Sequence, residues 1–74
     1  MKNTSILIVD DEQRFADMLA GRLALRGFSC TVRYDGRSAI EVVTQGFYPW
    51  VILDLRLPDM DGTEVLAHIK NRWP

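Results

Sequence analysis

Apolar residues in this chain mark three short segments, two of them continuous and the second alternating, and each is followed by a segment with helical spacing. The first run covers Ser5–Val9, and the third begins with Trp50–Leu53 and is expected to continue as a strand to about Leu55. Continuous apolar runs of this length are typical of strands buried on both faces of a parallel sheet. Residues 28–34 instead alternate apolar and polar side chains, which predicts a strand at the edge of the sheet.

Helical spacing predicts one helix after each strand. Apolar residues spaced by four indicate a helix over about Gln13–Leu25, and Gly27 is expected to close it with a positive φ angle. Shorter helices are predicted over residues 37–45 and 63–72. The side chains expected to face the core are, in chain order, Phe15, Ala16, Met18, Leu19, Leu23, Ala39, Ile40, Val43, Val65, Leu66 and Ile69. This β-α-β-α-β-α order predicts a parallel sheet with right-handed crossovers.

Length, composition and charge limit the possible functions. A chain of 74 residues makes at most one small domain, and its 47% apolar content argues against disorder. The net charge of −1, with mixed signs, predicts no direct contact with nucleic acid and no membrane-surface patch. The apolar runs are too short to span a bilayer, and no signal peptide is recognised. A single cysteine, Cys30, fits a small core residue in a reducing, cytoplasmic compartment.

Carboxylates follow the first and third strands at the point where each apolar run ends. Asp10 and Asp11 come directly after Val9, and Asp54 comes directly after Leu53. Because the carboxyl ends of neighbouring parallel strands lie at one edge of a sheet, we expect these three side chains to converge. Three adjacent carboxylates repel one another unless a cation lies among them, and oxygen ligands of this kind suit Mg²⁺. The alternative is that Asp54 only caps its strand.

These motifs resemble those of the receiver domain of bacterial two-component response regulators. The matching residues are ILIVDDE at positions 6–12, Asp54, and LPDMDG at positions 57–62. The resemblance implies a flavodoxin-like α/β fold, a doubly wound parallel sheet whose strands run in the order 2-1-3. A complete receiver domain has further βα units at its carboxyl end. Residues 1–74 are therefore expected to form an incomplete receiver domain, truncated to three strands and three helices.

The resemblance also implies a role for each site residue. Asp54 would be the phosphoacceptor, phosphorylated from the phosphohistidine of a sensor histidine kinase, so that the chain acts as a switch and not as an enzyme. Mg²⁺ would be held by Asp10, Asp11, Asp54 and the main-chain carbonyl of Arg56. Pro58 would fix the loop over the site, and Gly62 would allow tight entry into the third helix. Without the Ser/Thr and Lys of the later units, phosphorylation is expected to be impaired.

Two other functions fit part of the same sequence. Residues 59–63, DMDGT, match a signature of haloacid-dehalogenase-type phosphatases, in which Asp59 and Asp61 would be the catalytic carboxylates. Against this, Pro58 separates the motif from the end of the buried strand. The second alternative is a structural interaction module that keeps the fold without phosphorylation, and the intact set of three aspartates argues against it.

The third strand is expected to be an uncovered sheet edge in this short chain. Long apolar edge strands recruit other chains, and the face of the first strand that a further helix would cover is open as well. We therefore expect a homo-oligomer, most simply a two-fold dimer joined at or near the third strand.

Overall fold

The computed structural model describes residues 4–73, which form six elements in the predicted order. The strands are β1 (Ser5–Val9), β2 (Ser29–Arg33) and β3 (Trp50–Leu53), and the helices are α1 (Gln13–Leu25), α2 (Gly36–Gln45) and α3 (Gly62–Arg72). The predicted bounds of β1 and α1 are confirmed. The strand β2 is shorter by one residue at each end, and β3 ends at Leu53 instead of Leu55. Both α2 and α3 begin one residue earlier than predicted.

The three strands are parallel and lie in the order β2-β1-β3, which confirms the predicted topology. The central strand β1 is paired on both sides, with Val9 opposite Arg33 of β2 and Leu53 of β3. Hydrogen bonds continue this pairing one residue further. The Asp54 N–H donates to the Val9 carbonyl at 2.9 Å, and the Asp10 N–H donates to the Arg33 carbonyl at 3.1 Å. The pairing therefore places Asp10 and Asp54 side by side at the carboxyl edge of the sheet.

Helices pack on both faces of the sheet. On one face, α1 packs around Ile8 and Ala16, which are fully buried. On the other face, α2 and α3 pack around Leu7, Val43 and Val65, each of which is at most 1% exposed. Full burial of an aliphatic side chain stabilises the fold by about 1.5–3 kcal/mol. Within residues 4–73, every helix is too short or too polar to cross a membrane.

Three residues predicted to face the core lie at the surface instead, among them Met18, which is 48% exposed. Phe15 is 45% exposed, and its neighbour Ala16 is the α1 residue with no exposure. Leu66 is 41% exposed, whereas Val65 is fully buried beneath α3. The apolar residues of each helix form a broad stripe along its surface. The packing against the sheet determines which residues of that stripe are fully buried. In α1 the small Ala16 meets the sheet, and the larger Phe15 is turned outward.

The carboxyl end of α1 has the predicted geometry. Gly27 has φ +95°, which confirms the expected left-handed residue. Its N–H donates to the Ala24 carbonyl at 3.0 Å, and the Phe28 N–H donates to the Leu23 carbonyl at 3.1 Å. This pair of hydrogen bonds is the Schellman motif, which satisfies carbonyls that the last turn leaves free. The chain then enters β2, where Cys30 packs against the α1 side of the core and burial raises the pKa of its thiol.

Candidate functional site

Three aspartates meet at the carboxyl edge of the sheet. Asp10 and Asp11 follow β1, Asp54 follows β3, and one carboxylate oxygen from each lies within 4.8 Å of the other two. Asp10 and Asp54 are half-buried, and Asp11 is exposed. Around Mg²⁺, with bonds of about 2.1 Å, adjacent ligand oxygens lie about 3 Å apart and opposite ones about 4.2 Å apart. Small side-chain rotations would bring these oxygens to a shared ion, so the donor set fits a hard divalent cation.

Backbone hydrogen bonds hold two of the three carboxylates. The Glu12 N–H donates to Oδ1 of Asp10 at 2.9 Å, and the Arg56 N–H donates to Oδ1 of Asp54 at 3.0 Å. In each case the donor lies two residues further along the chain, which is the geometry of an Asx turn. These contacts limit how far each side chain can rotate, and they occupy only one of its two oxygens.

The Asx turn at Asp54 also explains why β3 ends before Leu55. Because the Asp54 carboxylate accepts a hydrogen bond from the Arg56 N–H, the backbone turns away from the extended conformation that a strand requires. The turn leads into a loop whose ends are tied together. The Gly62 N–H donates to the Leu55 carbonyl at 2.9 Å, and Arg56 forms an antiparallel bridge with Asp61. The loop that contains the Arg56 carbonyl therefore closes directly beside Asp54.

Gly62 lies where the loop enters α3, and it is buried. A Cβ atom at this position would lie 2.6 Å from both the Asp54 carbonyl oxygen and the Leu55 Cα. Both are backbone atoms and cannot move aside as a side chain can. The close approach of α3 to the end of β3 thus requires glycine at this position. Pro58 is exposed in the same loop, and its role in fixing the loop stays a prediction.

Asp59 and Asp61, the two carboxylates of the phosphatase signature, are not among the three clustered aspartates. Oδ1 of Asp61 accepts the Thr63 N–H at 3.0 Å and caps α3, and this hydrogen bond lowers the pKa of Asp61. Asp59 reaches the amino end of α2, where the Gly36 N–H and the Arg37 N–H donate to its two oxygens. These bonds, with Gly36 first, lower the pKa of Asp59. Both side chains thus bind helix termini.

In the sequence, Asp59 has a role only in the phosphatase alternative, and its contact with α2 is not predicted. No local signal marks that contact, because Gly36 and Asp59 are 23 residues apart. Asp35 and Gly36 come directly before the helix predicted over residues 37–45, and nothing in their local sequence indicates a partner in the loop after β3. The partner of Asp59 becomes visible only when the loop after β3 and the start of α2 are placed at the same edge of the sheet.

Residues 6–74 match the family model of the response regulator receiver domain. The chain belongs to this family. The sensory transduction protein RegX3 of Mycolicibacterium smegmatis is 45% identical over 93% of this chain and 30% of its own length. The transcriptional regulatory protein YkoG of Bacillus subtilis is 36% identical over 95% of this chain and 31% of its own length. The chain thus spans just under a third of the length of these curated relatives.

Solved structures of response regulators share the fold. The response regulator TrrA from Thermotoga maritima, in complex with Mg²⁺ and BeF, has a TM-score of 0.87 and 33% identity. That match covers 99% of this chain and 62% of TrrA. A two-component response regulator from Clostridium difficile has a TM-score of 0.90 and 30% identity, over 95% of this chain and 58% of that one. The flavodoxin-like α/β fold is therefore confirmed, and the chain is a receiver module of two-component signalling.

Proposed function

We propose that Asp54 is the phosphoacceptor of this receiver module and that a sensor histidine kinase is its phosphoryl donor. The observation that carries the proposal is the position of Asp54. It directly follows β3, and its carboxylate lies within 4.8 Å of those of Asp10 and Asp11 in a chain of the receiver family. The solved matches extend beyond the region that this chain covers. We therefore also propose that residues 1–74 represent the first βα units of a larger receiver domain.

The reaction at Asp54 is a nucleophilic displacement at phosphorus. A carboxylate oxygen of Asp54 attacks the phosphoryl group of a phosphohistidine, a P–O bond forms, and the P–N bond breaks. The electron pair of the broken bond stays on the imidazole nitrogen, which takes up a proton from solvent. The product is an acyl phosphate on Asp54. The Arg56 N–H holds one carboxylate oxygen, which leaves the other for the attack.

The same edge of the sheet would hold Mg²⁺. Its proposed protein ligands are Asp10, Asp11, Asp54 and the main-chain carbonyl of Arg56. When bound, the ion would orient the phosphoryl oxygens and reduce the repulsion between the incoming anion and the carboxylates. The support for this ligand set is the oxygen-only donor cluster and the position of Arg56, two residues beyond Asp54 and hydrogen-bonded to it.

A magnesium titration followed by the amide NMR shifts of residues 10–12 and 54–56 tests the assignment. We expect wild-type protein to bind Mg²⁺, and the Asp11→Asn and Asp54→Asn variants to lose most of this affinity. The control is Glu41→Gln, which removes one negative charge from the exposed face of α2, outside the aspartate cluster. If Glu41→Gln weakens binding as much as Asp11→Asn, general electrostatics explains the titration and the proposed site is wrong.

Beryllofluoride with Mg²⁺ then distinguishes a phosphoacceptor from an interaction module that is never phosphorylated. Because beryllofluoride mimics a phosphoryl group on a carboxylate, we expect it to produce new amide shifts around Asp54 in the wild type. The same shifts should be absent in Asp54→Asn. A wild-type chain that binds Mg²⁺ but not beryllofluoride would support the interaction module.

We also infer that the chain self-associates through β3. Within residues 4–73 no strand pairs with the outer edge of β3, and its Trp50 and Ile52 side chains are 63% and 42% exposed. A groove of about 320 Å³ beside this strand is lined by Ile6, Leu23, Phe28, Trp50, Val51 and Ile52. A second copy of the chain, related by a two-fold axis, is the simplest partner for such an apolar edge. A cytoplasmic location and the absence of direct nucleic-acid contact stay predictions.

A further inference from the structure

The side chain of Asp59 connects the loop after β3 to the start of α2. Its Oδ1 accepts the Gly36 N–H at 2.8 Å, and its Oδ2 accepts the Arg37 N–H at 3.0 Å. Gly36 and Arg37 are the first two residues of α2, and helical N–H groups at this end have no partner within the helix. A carboxylate that uses both oxygens on two adjacent donors is held more rigidly than one with a single hydrogen bond.

Each of the two helices near this loop has a cap from its own sequence. In α2, Oδ1 of the N-cap residue Asp35 accepts the Ser38 N–H at 2.8 Å. In α3, Asp61 caps the Thr63 N–H. Asp59 is therefore not the local cap of either helix. Its hydrogen bonds add a connection between α2 and the loop, in addition to the stabilisation that each cap supplies.

The neighbouring residue, Met60, contacts the same point on α2. Gly36 is buried, and a Cβ atom at that position would overlap the Met60 side chain. Asp59 thus supplies the polar part of the contact with the first turn of α2, and Met60 supplies the apolar part. We call this contact the α2 clamp, formed by Asp59 and Met60 on the loop side and Gly36 and Arg37 on the helix side.

The loop is attached to the end of β3 at both of its ends and to α2 at its middle. Near the site, the Arg56 N–H bonds to Asp54 and the Gly62 N–H bonds to the Leu55 carbonyl. Further out, the α2 clamp holds the loop at Asp59, three residues beyond Arg56. The backbone that contains the Arg56 carbonyl therefore lies between a fixed point on β3 and a fixed point on α2.

We propose that Asp59 is a positioning residue for the magnesium site, because the α2 clamp holds the Arg56 carbonyl where it can act as a ligand beside Asp54. This inference rests on the function proposed above. Asp59 contacts the helix and is not one of the three clustered aspartates, so its effect on metal binding is transmitted through the loop backbone. Through this contact α2 also helps to position the metal ligands, although none of the proposed ligands belongs to α2.

The test compares two carboxylates that bind the first turn of α2, one from the loop and one from the helix's own N-cap. Asp59→Ala removes the α2 clamp's hydrogen bonds, whereas Asp35→Ala removes the helix's own cap and leaves the loop contact in place. We expect Asp59→Ala to weaken Mg²⁺ binding about tenfold, at the low end for residues that support metal ligands. Asp59→Asn keeps one acceptor oxygen and should fall between Asp59→Ala and wild type. Asp35→Ala should bind Mg²⁺ with wild-type affinity.

A second measurement needs no metal. Hydrogen exchange of the Gly62 and Arg56 amides reports whether the loop stays closed, and far-UV circular dichroism at the same temperature checks that each variant is folded. We expect faster exchange at both amides in Asp59→Ala and Asp59→Asn, and unchanged exchange in Asp35→Ala. If Asp59→Ala does not fold, the comparison of Asp59→Asn with Asp35→Ala decides the question in the same way.

The results separate failure of this inference from failure of the proposed function. Wild-type affinity in the folded Asp59 variants, or an equal loss in Asp35→Ala, would overturn the positioning role while leaving the metal site intact. A wild-type chain that binds no Mg²⁺ would overturn the proposed metal site and with it the positioning role. In that case the exchange data still show whether Asp59 holds the loop closed.

Discussion

The two faces of the sheet differ in how completely helices cover them. On the closed face, beneath α2 and α3, Leu7, Val9 and Val65 are fully buried. On the open face, α1 covers β1 and β2, whereas Trp50 and Ile52 of β3 stay exposed. The strand register shows that these two residues lie on the α1 side, because Trp50 is opposite Ile6 and Ile52 is opposite Ile8.

The apolar sequence of β3 does not distinguish its two sides. Val51 and Leu53 pack against the closed core, whereas Trp50 and Ile52 alternate with them on the open face. The difference in burial between the two sides of β3 therefore comes from the number of helices that pack on each side, and not from the amino-acid composition of the strand. An apolar strand shows that a surface is suited to burial, but it does not identify what covers that surface.

The largest effect is expected where α3 joins the closed face. Gly62→Ala would place a Cβ atom 2.6 Å from two backbone atoms, and we expect it to lower the free energy of unfolding by about 3 kcal/mol or more. The matched control is Gly21→Ala in α1, where the added Cβ atom would meet nothing within 4 Å among residues 4–73 apart from the neighbouring helix backbone, and where alanine should stabilise the helix by about 1 kcal/mol. Urea unfolding followed by circular dichroism measures both, and a neutral Gly62→Ala would contradict the close approach of α3 to the end of β3.

A smaller effect should separate two neighbouring residues of α3. Val65→Ala removes two methyl groups from a fully buried site and should cost about 2 kcal/mol. Leu66→Ala removes a larger side chain that is 41% exposed, and it should cost less than about 1 kcal/mol. Urea unfolding of the two variants tests which residue faces the core. A larger loss in Leu66→Ala would show that α3 is rotated about its axis, with Leu66 and not Val65 against the sheet.

On the open face, Ile52→Thr should change the folding of each chain little and its self-association strongly. Threonine keeps the β-branched shape that suits a strand, and the site is exposed, so we expect less than about 1 kcal/mol of lost stability. The loss of apolar surface at the β3 edge should shift dimers towards monomers. Sedimentation over a wide concentration range measures this shift. A wild-type chain that is a folded monomer at all concentrations would refute the proposed association.

The smallest effect concerns acid sensitivity at the helix termini. Hydrogen bonds from Gly36 and Arg37 hold the pKa of Asp59 below its ordinary value of 3.8. The folded state therefore binds this proton less readily than the unfolded state. The resulting stabilisation is complete above the ordinary pKa and is lost as the pH falls through the lower, folded-state pKa. In Asp59→Asn, the free energy of unfolding should therefore fall less steeply with decreasing pH in this range than in the wild type. If urea unfolding at a series of acidic pH values gives the same dependence for both proteins, Asp59 contributes nothing to the acid sensitivity.

The sequence alone determined the order of the elements, the bounds of β1 and α1, the left-handed Gly27 and the receiver motifs. These features depend on residues close together in the chain. Helical spacing joins residues three or four apart, and the end of α1 is closed by hydrogen bonds within a few residues. The meeting of Asp10, Asp11 and Asp54 was predictable as well, because parallel neighbouring strands bring their carboxyl ends to the same edge.

Only the tertiary structure decided which residue of each apolar stripe meets the sheet and where Asp59 binds. Phe15 and Ala16 both fit a helical pattern, and the space between α1 and the sheet selects Ala16. The contact between Asp59 and Gly36 joins segments that are 23 residues apart, so no local pattern encodes it. Contacts of this kind depend on how close whole elements approach one another, and that distance is set by all the side chains packed between them.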